Sequence, residues 1–175
     1  MLWYSYKYIE NNYFLVMFIN KIKKSLGRIL GITGYAIQYG CIAHCTFEFI
    51  GDFVVCQGPS MEPTIFSKDV IITEHVSPRM NLVNRGDIIV ARSPSNPHQF
   101  ICKRVTALSG DSVKTGLWSE IVPRGHVWLE GDNKHNSTDS RKFGAIPQGL
   151  IRGRVIFRIW PLSEFGFLKS SKELI

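Results

Sequence analysis

Three short segments of the chain place reactive side chains in settings that restrict them. The first is Gln57-Gly58-Pro59-Ser60-Met61-Glu62-Pro63-Thr64. Prolines on both sides of Ser60 exclude a regular helix, so the serine belongs to a stiff turn that can present its hydroxyl at a fixed angle. A serine hydroxyl becomes a nucleophile only when a neighbouring base takes its proton. The Gly-x-Ser-x-Gly elbow of α/β-hydrolases is absent, because Glu62 stands where the second glycine belongs.

The second segment is Phe100-Ile101-Cys102-Lys103-Arg104-Val105. In a strand, Lys103 shares a face with Ile101 and Val105. A lysine on an apolar face either snorkels from a sheet edge or is held inside, where burial favours the neutral amine. Lowering a lysine pKa from about 10.4 to about 7–8 costs roughly 4 kcal/mol, and the neutral amine can then serve as a general base. His75, His98, His126 and His135 offer the alternative base, in a Ser-His-Asp arrangement.

The third segment, Gly131-Asp132-Asn133-Lys134-His135-Asn136-Ser137-Thr138-Asp139-Ser140-Arg141, is dense in hydrogen-bonding groups. Ser137 or Thr138 could orient a lysine amine by accepting a proton from it. A calcium loop is the rival, but Lys134 breaks the EF-hand pattern at a ligand position. Trp128-Leu129 before the loop and Phe143-Gly144 after it suggest that packed elements pin both ends, against the alternative of a freely solvated loop.

Strands are the elements expected to position these segments. Short apolar runs at Asp69–His75, Asp87–Arg92, Gln99–Leu108, His126–Glu130 and Arg154–Trp160 are separated by Gly- and Pro-containing turns. Even spacing of this kind predicts a mainly β fold, an all-β sandwich or barrel-like domain. With 175 residues there is room for one domain with a real core. Hydrophobic residues at 45% and charged residues at 20% exclude a disordered chain. The four cysteines, Cys41, Cys45, Cys56 and Cys102, form no Cys-x-x-Cys pair, so neither a zinc ribbon nor a disulfide framework is expected.

The N-terminal part has a different texture. Ile29–Phe47 is a run of 19 residues without a formal charge, close to the length of about 20 that a bilayer-spanning helix needs. Gly27-x-x-x-Gly31 would admit a close neighbouring helix. Five Lys/Arg in residues 1–28, against Lys68 alone in residues 57–76, predict an N-terminus held inside and a C-terminal part sent across. A buried amphipathic helix is the rival reading. The net charge is +7, but residues 57–175 contain no Lys/Arg run longer than two, so no nucleic-acid footprint is expected. The predicted organisation is a basic extension at 1–28, a transmembrane helix at 29–50, a β domain at 51–168 and a tail at 169–175.

Taken in order, Gly-Pro-Ser60-Met-Glu-Pro-Thr, Arg85-Gly-Asp87, Lys103-Arg104-Val and Gly-Asp-Asn-x-x-Asn-Ser137-x-Asp139-Ser140-Arg141 resemble the boxes of type I signal peptidases, over roughly residues 27–168. The likeness is nearest to the mitochondrial inner-membrane branch of that family, whose second subunit has a more His-rich third box. The resemblance implies a membrane-anchored Ser/Lys endopeptidase with an antiparallel β catalytic domain and one N-terminal transmembrane helix. It implies Ser60 as nucleophile, Lys103 as general base, Ser137 as the residue orienting the amine, and Asp139 with Arg141 as a structural ion pair. The Ser60 backbone N–H would donate to the oxyanion. Many bacterial members carry a serine at the position of Gly58, so the second oxyanion donor must differ here.

The resemblance further implies no metal or other cofactor, precursor polypeptides as substrates, a second peptidase subunit as partner, and a catalytic domain facing the intermembrane space. Two rivals stand beside it. One is a bacterial-type general signal peptidase; the other is a membrane-anchored basic β module that binds anionic lipid.

Overall fold

The structure is a computed structural model that describes residues 2–116 and 118–168. The side chains of residues 2–15 and the expected tail at 169–175 lie outside the described residues. The chain divides into two compact units, Met1–Cys45 and Thr46–Ile175.

The first unit is one helix, α1, Leu2–Cys45. It runs unbroken through the expected boundary at residue 29 and stops before the expected end at residue 50. Among the described residues no helix is long and apolar enough to cross a membrane, which corrects the transmembrane reading of residues 29–50. The reason is dilution. Lys21, Lys23, Lys24 and Arg28 separate the run ending at Ile19 from the one starting at Ile29, and Gly31, Gly34, Gln38, Gly40 and His44 interrupt the second run. A Cβ added at Gly27 or Gly31 would meet nothing within 4 Å, so the Gly-x-x-x-Gly surface carries no close neighbour among the described residues.

The second unit opens with a π-helical turn, Thr46–Ile50. Strands follow at β1 Gly51–Val55, β2 Val70–Glu74, β3 Ile88–Arg92, β4 Phe100–Leu108, β5 Ser112–Thr115, β6 Trp118–Ile121, β7 His126–Glu130, β8 Ile146–Pro147, β9 Ile151–Trp160 and β10 Gly166–Phe167. Two four-residue helices, α2 Val76–Arg79 and α3 Ser140–Phe143, sit between strands. The main sheet has the order β1-β2-β9-β3-β4-β7-β8, with β10 on β9, while β5 and β6 form a separate hairpin. Every pairing is antiparallel. The mainly β, antiparallel expectation holds, and the long β9 passes between β2 and β3.

Strand β3 explains why the sheet has two cores. Its residues Ile88, Ile89, Val90 and Ala91 are all buried, as expected of a strand covered on both faces. Ile89 and Ala91 join Val105, Val127, Leu129, Ile146 and Ile151 in one cluster. Ile88 and Val90 join Cys56, Met61, Ile65, Ile71 and Val155 in the other. Two strands that lie next to a core are therefore available to carry the reactive segments: β4, which follows β3, and β1, whose C-terminal end leads into the Ser60 turn.

Candidate active site

The Ser60 turn leaves the end of β1 and returns to β2. Its base is closed by Cys56 N–H donating to Asp69 O and Lys68 N–H donating to Cys56 O, each at 2.8 Å. Gly58 turns the chain with φ +87°, a conformation that a side chain would strain. Met61 and Ile65, both nearly fully buried, anchor the turn in the core beneath it. Ser60 itself stays half-buried at the rim.

Lys103 approaches from β4, an interior strand flanked by β3 and β7, and it pairs across to Ile89. The snorkelling-edge reading is thereby excluded: the lysine is 4% exposed. Its Nζ hydrogen-bonds the Ser60 Oγ at 2.6 Å. Burial lowers its pKa below the ordinary lysine value, while the negative charge of Asp139 and Asp132 holds part of that shift back.

The third segment leaves β7 and enters α3. Gly131 is the contact point. A Cβ built there would collide with the Ser137 Oγ and come within 2.5 Å of the Ser60 carbonyl oxygen. Only a glycine allows the Ser137 side chain and the Ser60 backbone to close on this spot. The Ser137 hydroxyl is buried near the site, on the side of the Asp139 carboxylate, and is not bonded to Lys103.

Asp139 is fully buried and caps α3. Its carboxylate accepts from the Gly131 N–H at 3.0 Å and from Arg141 Nε and Nη2 at 2.8 and 2.7 Å. Burial alone would raise its pKa, but the guanidinium and the amide hold the carboxyl well below the usual carboxylate range. Ser140 Oγ accepts the Leu129 N–H at 2.9 Å and ties the loop back to β7.

Four further residues join the site without having been singled out from the sequence. Asp132 accepts a fork from Arg104, Nε to Oδ1 at 2.8 Å and Nη2 to Oδ2 at 2.6 Å, and a third bond from Thr64 Oγ1 at 2.6 Å. Arg104 also donates to Gly86 O at 2.8 Å, which brings the Arg85-Gly86-Asp87 box into the same network. Asn133 donates its main-chain N–H to Ser60 O and its side-chain amide to Pro59 O, each at 3.1 Å. Their signal was membership of the same boxes; nothing in their spacing showed that they join segments 18 to 74 positions apart.

Among the described residues no histidine hydrogen-bonds the Ser60 hydroxyl, whose partner is Lys103. His75 lies with Nε2 3.3 Å from Asp52 and Nδ1 3.1 Å from Glu48 O, and His126 bonds the carbonyl of Arg124 at 3.0 Å. The carboxylates of the would-be calcium loop, Asp132 and Asp139, already face Arg104 and Arg141. A serine hydroxyl held against a buried, pKa-lowered amine can perform acyl transfer, with the amine as proton acceptor.

Comparison with known proteins agrees with this geometry. A family model described as "Signal peptidase, peptidase S26" matches residues 28–117 and 114–160. The human protein named "Mitochondrial inner membrane protease subunit 1" is 56% identical over 152 residues, which are 83% of this chain and 92% of that one. An Arabidopsis thaliana protein, "Mitochondrial ATP-independent inner membrane protease subunit 1b", is 42% identical, covering 72% of this chain and 80% of that one. The mouse "Mitochondrial inner membrane protease subunit 2" is 40% identical, covering 68% and 75%. With its boxes, its serine–lysine hydrogen bond and these relatives, the chain belongs to the signal peptidase family, peptidase S26.

Proposed function

We propose that this protein is a serine endopeptidase that removes sorting or signal peptides from precursor proteins delivered to the intermembrane space, working at the mitochondrial inner membrane. The observation that carries this reading is the 2.6 Å hydrogen bond between the Lys103 amine and the Ser60 hydroxyl, made by a lysine that burial pushes toward its neutral form.

Ser60 Oγ attacks the scissile carbonyl while neutral Lys103 takes its proton. The Ser60 N–H donates to the developing oxyanion. Collapse of the tetrahedral intermediate expels the new amino terminus, which receives the proton from Lys103. Water, deprotonated by the same amine, then hydrolyses the acyl-enzyme. Ser137 orients the amine, with its buried hydroxyl set beside Gly131 and the Asp139 carboxylate. Asp139 and Arg141 brace the loop that carries it. Residues 51–168 make up the catalytic domain, residues 1–50 associate it with its membrane setting, and a second, related subunit is its partner. No cofactor is needed on this route.

Cleavage of a purified precursor tests the reading, with wild type compared to Ser60→Ala and Lys103→Ala in the presence of the second subunit. Turnover by wild type and none by either folded variant is the expected result. Equal turnover by all three would remove Ser60 and Lys103 from the chemistry.

A further inference from the structure

Helix α1 carries a pattern of side chains that the peptidase site leaves unused. Every side chain in residues 16–45 of it is exposed. No Asp or Glu occurs between Glu10 and Glu48, while Lys21, Lys23, Lys24 and Arg28 fall within eight residues. A helix turns about 100° per residue, so Lys21, Lys24 and Arg28, spaced i, i+3, i+7, share an arc of about 60°. Phe18, Ile22, Leu26 and Ile29, spaced i, i+4, i+8, i+11, share the neighbouring arc of about 80°. These four are 54%, 51%, 53% and 59% exposed, and with Lys21 and Ser25 they line one groove along the helix. Ile19 and Leu30 widen the apolar face, and Lys23 closes its far border.

We propose that residues 16–30 of α1 are a bilayer-docking surface selective for anionic phospholipid, lying in the plane of the membrane interface. Charge complementarity identifies the occupant. A neutral apolar partner would match the stripe but not four cations without a single acid. A phospholipid surface matches both: the acyl boundary takes the apolar face, and the phosphates take the Lys and Arg heads, whose stems snorkel to reach them. The helix is not apolar enough to cross a bilayer, whereas lying along one requires only a single apolar face with cations at the level of the phosphates. The inference names the lipid class behind the membrane setting of the proposed function and rests on that setting. It does not depend on Ser60 or Lys103.

The test is binding of the purified full chain to vesicles of phosphatidylcholine and to vesicles of equimolar phosphatidylcholine and phosphatidylglycerol, with precursor cleavage read in parallel. Each Lys or Arg near an anionic surface is worth about fivefold in binding, so wild type should prefer the mixed vesicles on the order of 100-fold. Molar salt should remove that preference, because screening then acts within about 3 Å. Lys21→Gln/Lys24→Gln/Arg28→Gln should lose the preference but keep the weaker binding to phosphatidylcholine. Ile22→Ser/Leu26→Ser should bind both vesicle types on the order of 10-fold more weakly.

Equal binding of wild type to the two vesicle types overturns the proposal. So does a preference that survives the triple change, which would put the lipid site on other bases. A wild type that binds neither vesicle but forms an oligomer, dissociated by Ile22→Ser/Leu26→Ser, would make a second copy of the chain the occupant. Ser60→Ala should bind vesicles as wild type does. If that variant still cleaves precursor, the Ser/Lys reading fails while the lipid surface stands; if wild type cleaves but ignores lipid charge, the reverse holds.

Discussion

Asn133 holds Ser60 by the backbone: its N–H donates to the Ser60 carbonyl at 3.1 Å, and its side-chain amide reaches the preceding Pro59 carbonyl at the same distance. The loop that carries Ser137 and Asp139 therefore also fixes the turn that carries the nucleophile. The Ser60 hydroxyl is tied on its other side to Lys103. Three segments distant in sequence meet at one residue, and its position depends on all of them.

Replacing Asn133 by aspartate keeps the size and the main-chain bond but sets a carboxylate oxygen against the Pro59 carbonyl in place of a donor. The expected outcome is a fall in kcat on the order of 10-fold with a smaller change in KM, because misorientation of the turn weakens the chemical step more than substrate binding. Steady-state cleavage by the folded variant measures this. An unchanged kcat would show that the main-chain bond alone holds the turn.

Gly131→Ala is expected to be more severe. The new Cβ meets the Ser137 Oγ and the Ser60 carbonyl oxygen together. Overpacking of this kind costs typically 1–3 kcal/mol and displaces whatever can move. A second change, Ser137→Ala, would remove the Oγ contact but leave two others, with the Cβ of residue 137 at 2.6 Å and with the Ser60 carbonyl oxygen, which is backbone. Activity is therefore expected to remain at least 100-fold down in the double variant. Recovery to the level of Ser137→Ala alone would place the obstruction at the Ser137 Oγ only.

What was legible in the sequence follows from what is local. Strands β2, β3, β4 and β7 announced themselves because each alternates or runs apolar between turn residues, and their observed bounds lie within the expected ones. Strand β1 did not, because it is only five residues long and no Gly- or Pro-containing turn separates it from the helical stretch before it. The β5–β6 hairpin is too short and too exposed to leave a pattern. The helix that should have spanned a bilayer was read from an absence of charge, whereas crossing requires positive apolarity, which glycine, Gln38 and His44 do not supply. At the site, alternation placed Lys103 on the face of Ile101 and Val105 but could not say whether β4 was an edge or an interior strand; that depends on β7 pairing with it from 19 to 26 positions away. Arg104, Thr64 and Asn133 act across loops, and no local spacing encodes such partners.

The acid limb of the activity profile is set by Lys103. The amine must be neutral to accept the Ser60 proton, and burial lowers its pKa, so activity should rise with pH through a pKa below the usual lysine value of about 10.4. Lys103→Arg should be inactive at every pH where the protein is folded, because a guanidinium stays protonated. A kcat/KM profile over a wide pH range checks both points. Retained turnover in the arginine variant would mean that another group takes the proton.

Asp139 supplies a stability test that is independent of turnover. Its carboxyl is fully buried and titrates well below its unfolded value, held there by Arg141 and the Gly131 amide. A depressed carboxylate pKa stabilises the fold above the unfolded pKa of about 3.9, and that contribution is lost as pH falls through the folded pKa, because protonation favours the unfolded chain. Asp139→Asn removes the charge and leaves Arg141 without its partner. Breaking a buried pair costs about 3–5 kcal/mol, but Arg141 is 35% exposed, and water screening reduces the expected loss to about 1–3 kcal/mol at neutral pH. The gap between wild type and variant should narrow as pH drops below about 4, where wild type loses what the variant never had. Thermal unfolding of both proteins across that range measures the gap. A constant difference at all pH values would show that the cost is one of lost hydrogen bonds and packing, not of charge.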